Sequence, residues 1–182
     1  MTVNLDSANP TFGALLSLLV TSRPAGLTHL TLTNLGKGAL QELGQIYMVE
    51  GLANLTKLHL VACDWSPETM TTWTEGVLDS AHLGAALKEL QVTPPLPTEG
   101  FYAANVVLSN ALRDGAFPHL TTLRTHMEWI DTAESFVAAM KDSAPCAHTL
   151  QCLNLGSVLP KYVESLRELL PECEIEAVTK PW

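Results

Sequence analysis

The chain has 182 residues, a length that makes one hydrophobic core and a single domain over 1–182 the expectation. Hydrophobic residues are 47% of it and charged residues 16%, a balance too apolar for a disordered chain. The formal net charge is −9, with 10 basic residues scattered among 19 acidic ones, which argues against a nucleic-acid partner because phosphate binding needs clustered Lys and Arg.

The first element, TVNLDS from Thr2, alternates, with Val3 and Leu5 in its apolar places, and reads as a strand. The opening MTVNLDSANP holds an acid and no Lys or Arg, unlike a secretory signal, so the expectation is an intracellular, cytoplasmic protein beginning at Met1. Helical spacing follows over 10–21, where Phe12, Leu15, Leu16 and Leu19 form a stripe. Its apolar run, Phe12 to Val20, falls well short of the roughly 20 residues that cross a bilayer, so no membrane insertion is expected. LTHLTL begins at Leu27, and a second helix over 38–51 carries Leu40, Leu43 and Tyr47. LTKLHL begins at Leu55, and the helix over 67–81 carries Met70, Trp73 and Val77, its start marked by Ser66 before Pro67. The sequon at Asn54 is read as a chance match, since its middle residue, Leu55, belongs to the core.

LKELQV begins at Leu87 and leads to a helix over 99–113 with Phe101, Ala104 or Asn105, Leu108 and Leu112 on one stripe and a glycine stop at Gly115. LTTLRT begins at Leu120, followed by a helix over 132–143 with Ala133, Phe136, Val137 and Met140 inward and a capping box from Asp131 to Glu134. LQCLNL begins at Leu150 and precedes a helix over 160–170 with Val163, Leu166 and Leu170. The last alternating stretch, ECEIEAV, places Cys173 and Ile175 in apolar positions.

The five full hexamers start 28, 32, 33 and 30 residues apart, the interval of a solenoid whose every turn is a strand and a helix. L-x-x-L-x-L followed by a helix at this spacing resembles the leucine-rich repeat family, nearest its ribonuclease-inhibitor-like, long-repeat class, over nearly the whole chain. The resemblance implies an α/β right-handed horseshoe with a concave parallel sheet of about seven strands and helices on the convex side. The family places Asn or Cys three positions after the last leucine. Only Cys63 obeys, while Leu35, Pro95, Glu128 and Val158 stand at that place in the other repeats, so irregular strand exits are expected.

Alternation turns Leu30, Leu32, Leu58, Leu60, Leu90, Val92, Leu123, Leu153 and Leu155 inward and the residues between them outward. The outward row is polar and mixed in sign, as protein recognition favours, with Lys57, His59, Glu89, Gln91, Arg124 and His126 at its centre. Outward glutamates on the last strand, Glu172, Glu174 and Glu176, read as protection of a sheet edge. Trp65 and Trp129, just past their strands, are candidates to extend the surface, because tryptophan is enriched at binding hot spots. Each has a second reading as a cover over the end of the core. Trp182, at a polar terminus, is either frayed or docked on a partner.

No catalytic residues and no cofactor are expected, as the chain has no GxSxG, P-loop or HExxH motif. His29 and His59 face outward on adjacent strands but lack a completing ligand, and the four cysteines, with no CxxC pair, are expected to be reduced thiols, so no metal site is expected. Repeat geometry places Cys152 beside His126, without an orienting group or an oxyanion site to make a nucleophile of the thiol. The leading expectation is a non-catalytic protein-interaction module, either a regulator or a scaffold subunit of a larger assembly. Two alternatives come from the family: a GTPase activator resembling the Ran activator class, without its acidic tail, and a ubiquitin-ligase substrate receptor, without a preceding F-box-like segment.

Overall fold

A computed structural model of the chain describes residues 2–22, 26–36, 54–79, 83–94, 96, 98–142 and 144–179. Seven strands form one sheet: β1 (Thr2–Asp6), β2 (His29–Thr33), β3 (Lys57–Val61), β4 (Glu89–Val92), β5 (Thr122–Arg124), β6 (Cys152–Val158) and β7 (Glu174–Thr179). Their order in the sheet is their order in the chain, and every pairing is parallel. Parallel neighbours cannot be joined by a tight turn, and among the described residues helices supply the crossovers. The described helices are α1 (Phe12–Ser22), α2 (Pro67–Asp79), α3 (Leu83–Ala86), α4 (Glu99–Arg113), α5 (Ile130–Lys141) and α6 (Pro160–Leu169), with a 3-10 turn at Pro145–His148. The helix expected over 38–51, with Leu40, Leu43 and Tyr47, lies outside the described residues, as do Pro95 and Trp182.

Register stacks the leucines. Leu30, Leu58, Leu90, Leu123 and Leu153 are successive Cα partners, and all are at most 2% exposed. From β3 onward the layers are covered by helix stripes: Met70, Trp73 and Val77 from α2; Phe101, Ala104, Leu108 and Leu112 from α4; Ala133, Phe136 and Met140 from α5; and Val163 and Leu166 from α6 are all buried in the same core. Helices α2, α4, α5 and α6 also pack side by side in chain order. At the first end of the row the stripe opens out: α1 buries Phe12 and half-buries Leu19, but leaves Leu15 exposed rather than inward.

One hydrogen-bond pattern recurs where the strands begin. The Thr28 carbonyl accepts from the amides of Thr56 and Lys57, the Thr56 carbonyl from Lys88 and Glu89, the Lys88 carbonyl from Thr121 and Thr122, and the Thr121 carbonyl from Gln151 and Cys152. The strand exits are less uniform. After β2 and β3 the chain turns through left-handed residues, Asn34 (φ 58°) and Ala62 (φ 54°). Cys63 is fully buried and turns its thiol toward the Val61 carbonyl at 3.5 Å. After β5 the Asn or Cys place is held by Glu128, and the exit is secured from a helix. Asn105 of α4, fully buried, donates from Nδ2 to the His126 carbonyl at 2.7 Å and accepts from the Thr125 hydroxyl at 3.0 Å.

Helix ends follow local chemistry at three places and depart from it at one. Ser66 and Thr69 cap α2 reciprocally, the Ser66 amide donating to Thr69 Oγ1 and the Thr69 amide to Ser66 Oγ. Thr98 caps α4 by accepting from the Phe101 amide. Gly115 (φ 93°) ends α4 in a Schellman turn, with Gly115 donating to the Leu112 carbonyl and Ala116 to that of Ala111. The capping box expected from Asp131 to Glu134 does not form. Helix α5 starts two residues earlier with Trp129 as N-cap and no side-chain cap, and the Glu134 carboxylate instead accepts the Tyr162 hydroxyl at 2.7 Å. Strand β7 also begins later than expected, so Glu172 precedes it.

Candidate protein-binding face

One face of the sheet packs into the core beneath the described helices, and the other carries the polar residues of β2 to β6, partly exposed except for the exposed Arg124. Alternation puts them there, and the in-order register aligns them into two rows. His29, Lys57, Glu89, Thr122, Cys152 and Glu174 form one; Thr31, His59, Gln91, Arg124, Asn154 and Glu176 form the next.

Glu89 joins the rows. Its Oε2 lies 2.7 Å from Lys57 Nζ and its Oε1 2.9 Å from His59 Nε2, so the two basic residues of β3 clamp a single carboxylate of β4. Burial works to raise the Glu89 carboxyl, but the hydrogen bonds from Lys57 and His59 outweigh it and hold the group below its ordinary range. Gln91 has Arg124 as its register partner. Arg124 is exposed, and among the described residues it makes no ion pair. Beyond it, Asn154 donates to Glu176 at 2.7 Å.

His126 is placed differently from the other five. It follows the end of β5, and its ring rests over Gly156 of β6, where a Cβ would stand 2.7 Å from His126 Nδ1. The left-handed φ of 65° at Gly156 and the register shift between Asn154 and Ser157 make this close approach possible. Cys152 has Thr122 as its register partner, so the expected pairing of Cys152 with His126 is replaced by that of Gly156 with His126. His29 and His59 are likewise offset by one row, since His29 pairs with Lys57. Among the described residues, no three His, Cys, Asp or Glu side chains gather into a set that could hold a metal ion. Burial raises all four thiols, those of Cys63, Cys146 and Cys173 to about 11, which disfavours the nucleophilic thiolate.

The two tryptophans part company. Trp65 is 2% exposed and packs on Trp73 at 5.7 Å between ring centroids, with Phe117 beyond at 5.6 Å, so it closes the core and leaves the candidate surface. Trp129 is 46% exposed and stacks on Tyr102 at 5.1 Å. Tyr102, itself buried, donates its hydroxyl to Glu128 at 2.8 Å, and burial followed by this carboxylate raises the phenol well above its ordinary value. Neither Tyr102 nor the exposed Ile130 stands out in the sequence, since Tyr102 lies beside the Phe101 stripe and Ile130 precedes the helix expected from 132.

No described helix is long and apolar enough to cross a membrane. Comparison with protein-family models gives no match to the chain, and comparison with curated proteins gives no significant one. The functional reading therefore rests on the face itself.

Proposed function

We propose that the chain is a leucine-rich-repeat interaction module of the long-repeat class, working inside the cell without catalysis. It binds a protein partner through the open sheet face, as a regulator or as a subunit of a larger assembly. The recurrence of one strand-entrance hydrogen-bond pattern at four successive junctions supports the repeat reading. The observation that carries the binding reading is the open face itself: a seven-stranded sheet sealed on one side presents on the other two aligned rows of unlike polar groups. Lys57, His59, Glu89, Gln91, Arg124 and His126 form the centre, and Trp129 extends it. Arg124 is the expected anchor. A guanidinium can pair in a fork with a carboxylate or stack on an aromatic ring, and arginine is enriched at hot spots.

Crosslinking in cell extract identifies the partner, whose affinity is then measured for Arg124→Ala and Glu89→Ala beside two exposed helix controls, Lys141→Ala and Arg167→Ala. The Arg124 variant is expected to bind at least about tenfold more weakly, the loss of a hot-spot side chain, with both controls unchanged. Normal binding by both sheet variants together with loss in a helix control overturns the assignment and moves the site to the helices.

A further inference from the structure

Trp129 and Ile130 are neighbouring large apolar residues that stay about half exposed, 46% and 51%, in a chain whose other strand-exit tryptophan is buried. The indole is not a loose side chain. Tyr102 stacks on it with the rings inclined by only 24°, the Tyr102 hydroxyl is tied to Glu128, and the Tyr102 carbonyl accepts from Thr132. Clefts flank the ring: one of about 370 Å³ lined by Glu128, Trp129, Ile130 and Asp131, the other of about 190 Å³ with Glu99, Tyr102 and Asp131 on its wall. A stacked aromatic platform thus has acidic residues in both clefts, Glu128 in the first, Glu99 in the second and Asp131 in each.

The electrostatics select the occupant. The start of α5 contributes about half a positive charge, which alone would favour an anion. Glu99, Glu128 and Asp131 bring three negative side chains against it, so the net field around the indole favours a cation. A second copy of this chain, net charge −9, would bring like charge to the rim, and an anionic lipid surface would be repelled in the same way.

We propose that the Trp129 platform receives a basic peptide segment of a protein partner, with an Arg or Lys side chain over the indole in the negative field of Glu99, Glu128 and Asp131 and an adjacent apolar side chain against Ile130. Cation–π attraction and the carboxylates act on the same charged group, and the rigid ring loses little freedom on binding. This rests on reading the chain as a protein-binding module, but its test uses no captured partner, so the two can fail separately.

The probe is the capped dipeptide acetyl-Arg-Leu-amide, with acetyl-Glu-Leu-amide as its opposite-charge counterpart. Each is titrated into the 15N-labelled full chain, with the Trp129 indole signal assigned by its disappearance in Trp129→Phe. The arginine peptide is expected to shift that signal saturably and the glutamate peptide to leave it unmoved. Glu99→Gln with Asp131→Asn, both at exposed positions, is expected to weaken the response about threefold or more, and Arg167→Ala, at an exposed position on α6, to leave it unchanged. An unmoved signal in large peptide excess, or an equal response to both peptides, overturns the proposal. A signal that shifts with protein concentration alone assigns the platform to self-association and overturns it too.

Discussion

Glu89 offers the most direct residue-scale handle on the open face, because its charge is held by Lys57 and His59 together. Its folded-state pKa lies below the unfolded value near 4.5, so its contribution to stability is fully present above that value and is lost as pH falls through the lowered pKa. Chemical denaturation of wild type and Glu89→Gln should therefore show a gap at about pH 5 that closes in more acid solution. A gap that grows as pH falls below about 5 would contradict the clamp. Gly156→Ala tests the neighbouring contact. It strains a left-handed residue and drives a methyl into the His126 ring, so a loss of about 1–2 kcal/mol and a displaced His126 ring signal are expected. Asn105→Leu keeps an apolar helix stripe but abandons the Thr125 hydroxyl and the His126 carbonyl. Denaturant titration should show a cost of about 2–3 kcal/mol, against near neutrality if Asn105 were merely filling space.

At the scale of elements, Leu58 on β3 is fully buried between Leu30 and Leu90. Leu58→Asp should cost more than about 4 kcal/mol, read as loss of cooperative thermal unfolding, because a carboxylate there has no partner in an apolar layer. The strands and most helices were legible because period-2 and period-3.6 patterns report directly on which side chains face the core, and Ser66, Pro67 and Gly115 mark helix ends through contacts within a few residues. Elements decided by distant contacts were not legible. Asp131 and Glu134 carry the letters of a capping box, yet Tyr162, 28 residues further on from Glu134, takes the carboxylate. Trp65 and Trp129 follow equivalent strands, and only packing against Trp73 in one case and Tyr102 in the other sends the first inside and leaves the second out. The seat of the His126 ring over Gly156 likewise depended on a register shift that alternation alone does not reveal.

For the whole molecule, a sheet ordered as the chain is ordered means that each strand is stabilised mainly by the one before and the one after. Opening is then expected to begin at the ends of the row. Amide exchange should be slowest at Leu58, Leu90 and Leu123, which have partners on both sides, and fastest along β1 and β7, each paired on one side only. Uniform protection across all seven strands would mean that the molecule opens only as a unit. Half of the candidate face was readable at this scale too, since the outward row follows from alternation, whereas the charge clamp on Glu89 needed the register to align β3 with β4.

The same order keeps the first and last strands as far apart as seven strands allow. With neighbours about 4.8 Å apart, β1 and β7 are separated by roughly 29 Å along the row, a span fixed by backbone hydrogen bonds rather than by side-chain packing. The chain is in that sense a ruler. Whatever is attached near Asp6 and whatever is attached near Thr179 are held at a set distance with the open face between them, and any partner that grips the face reads that length.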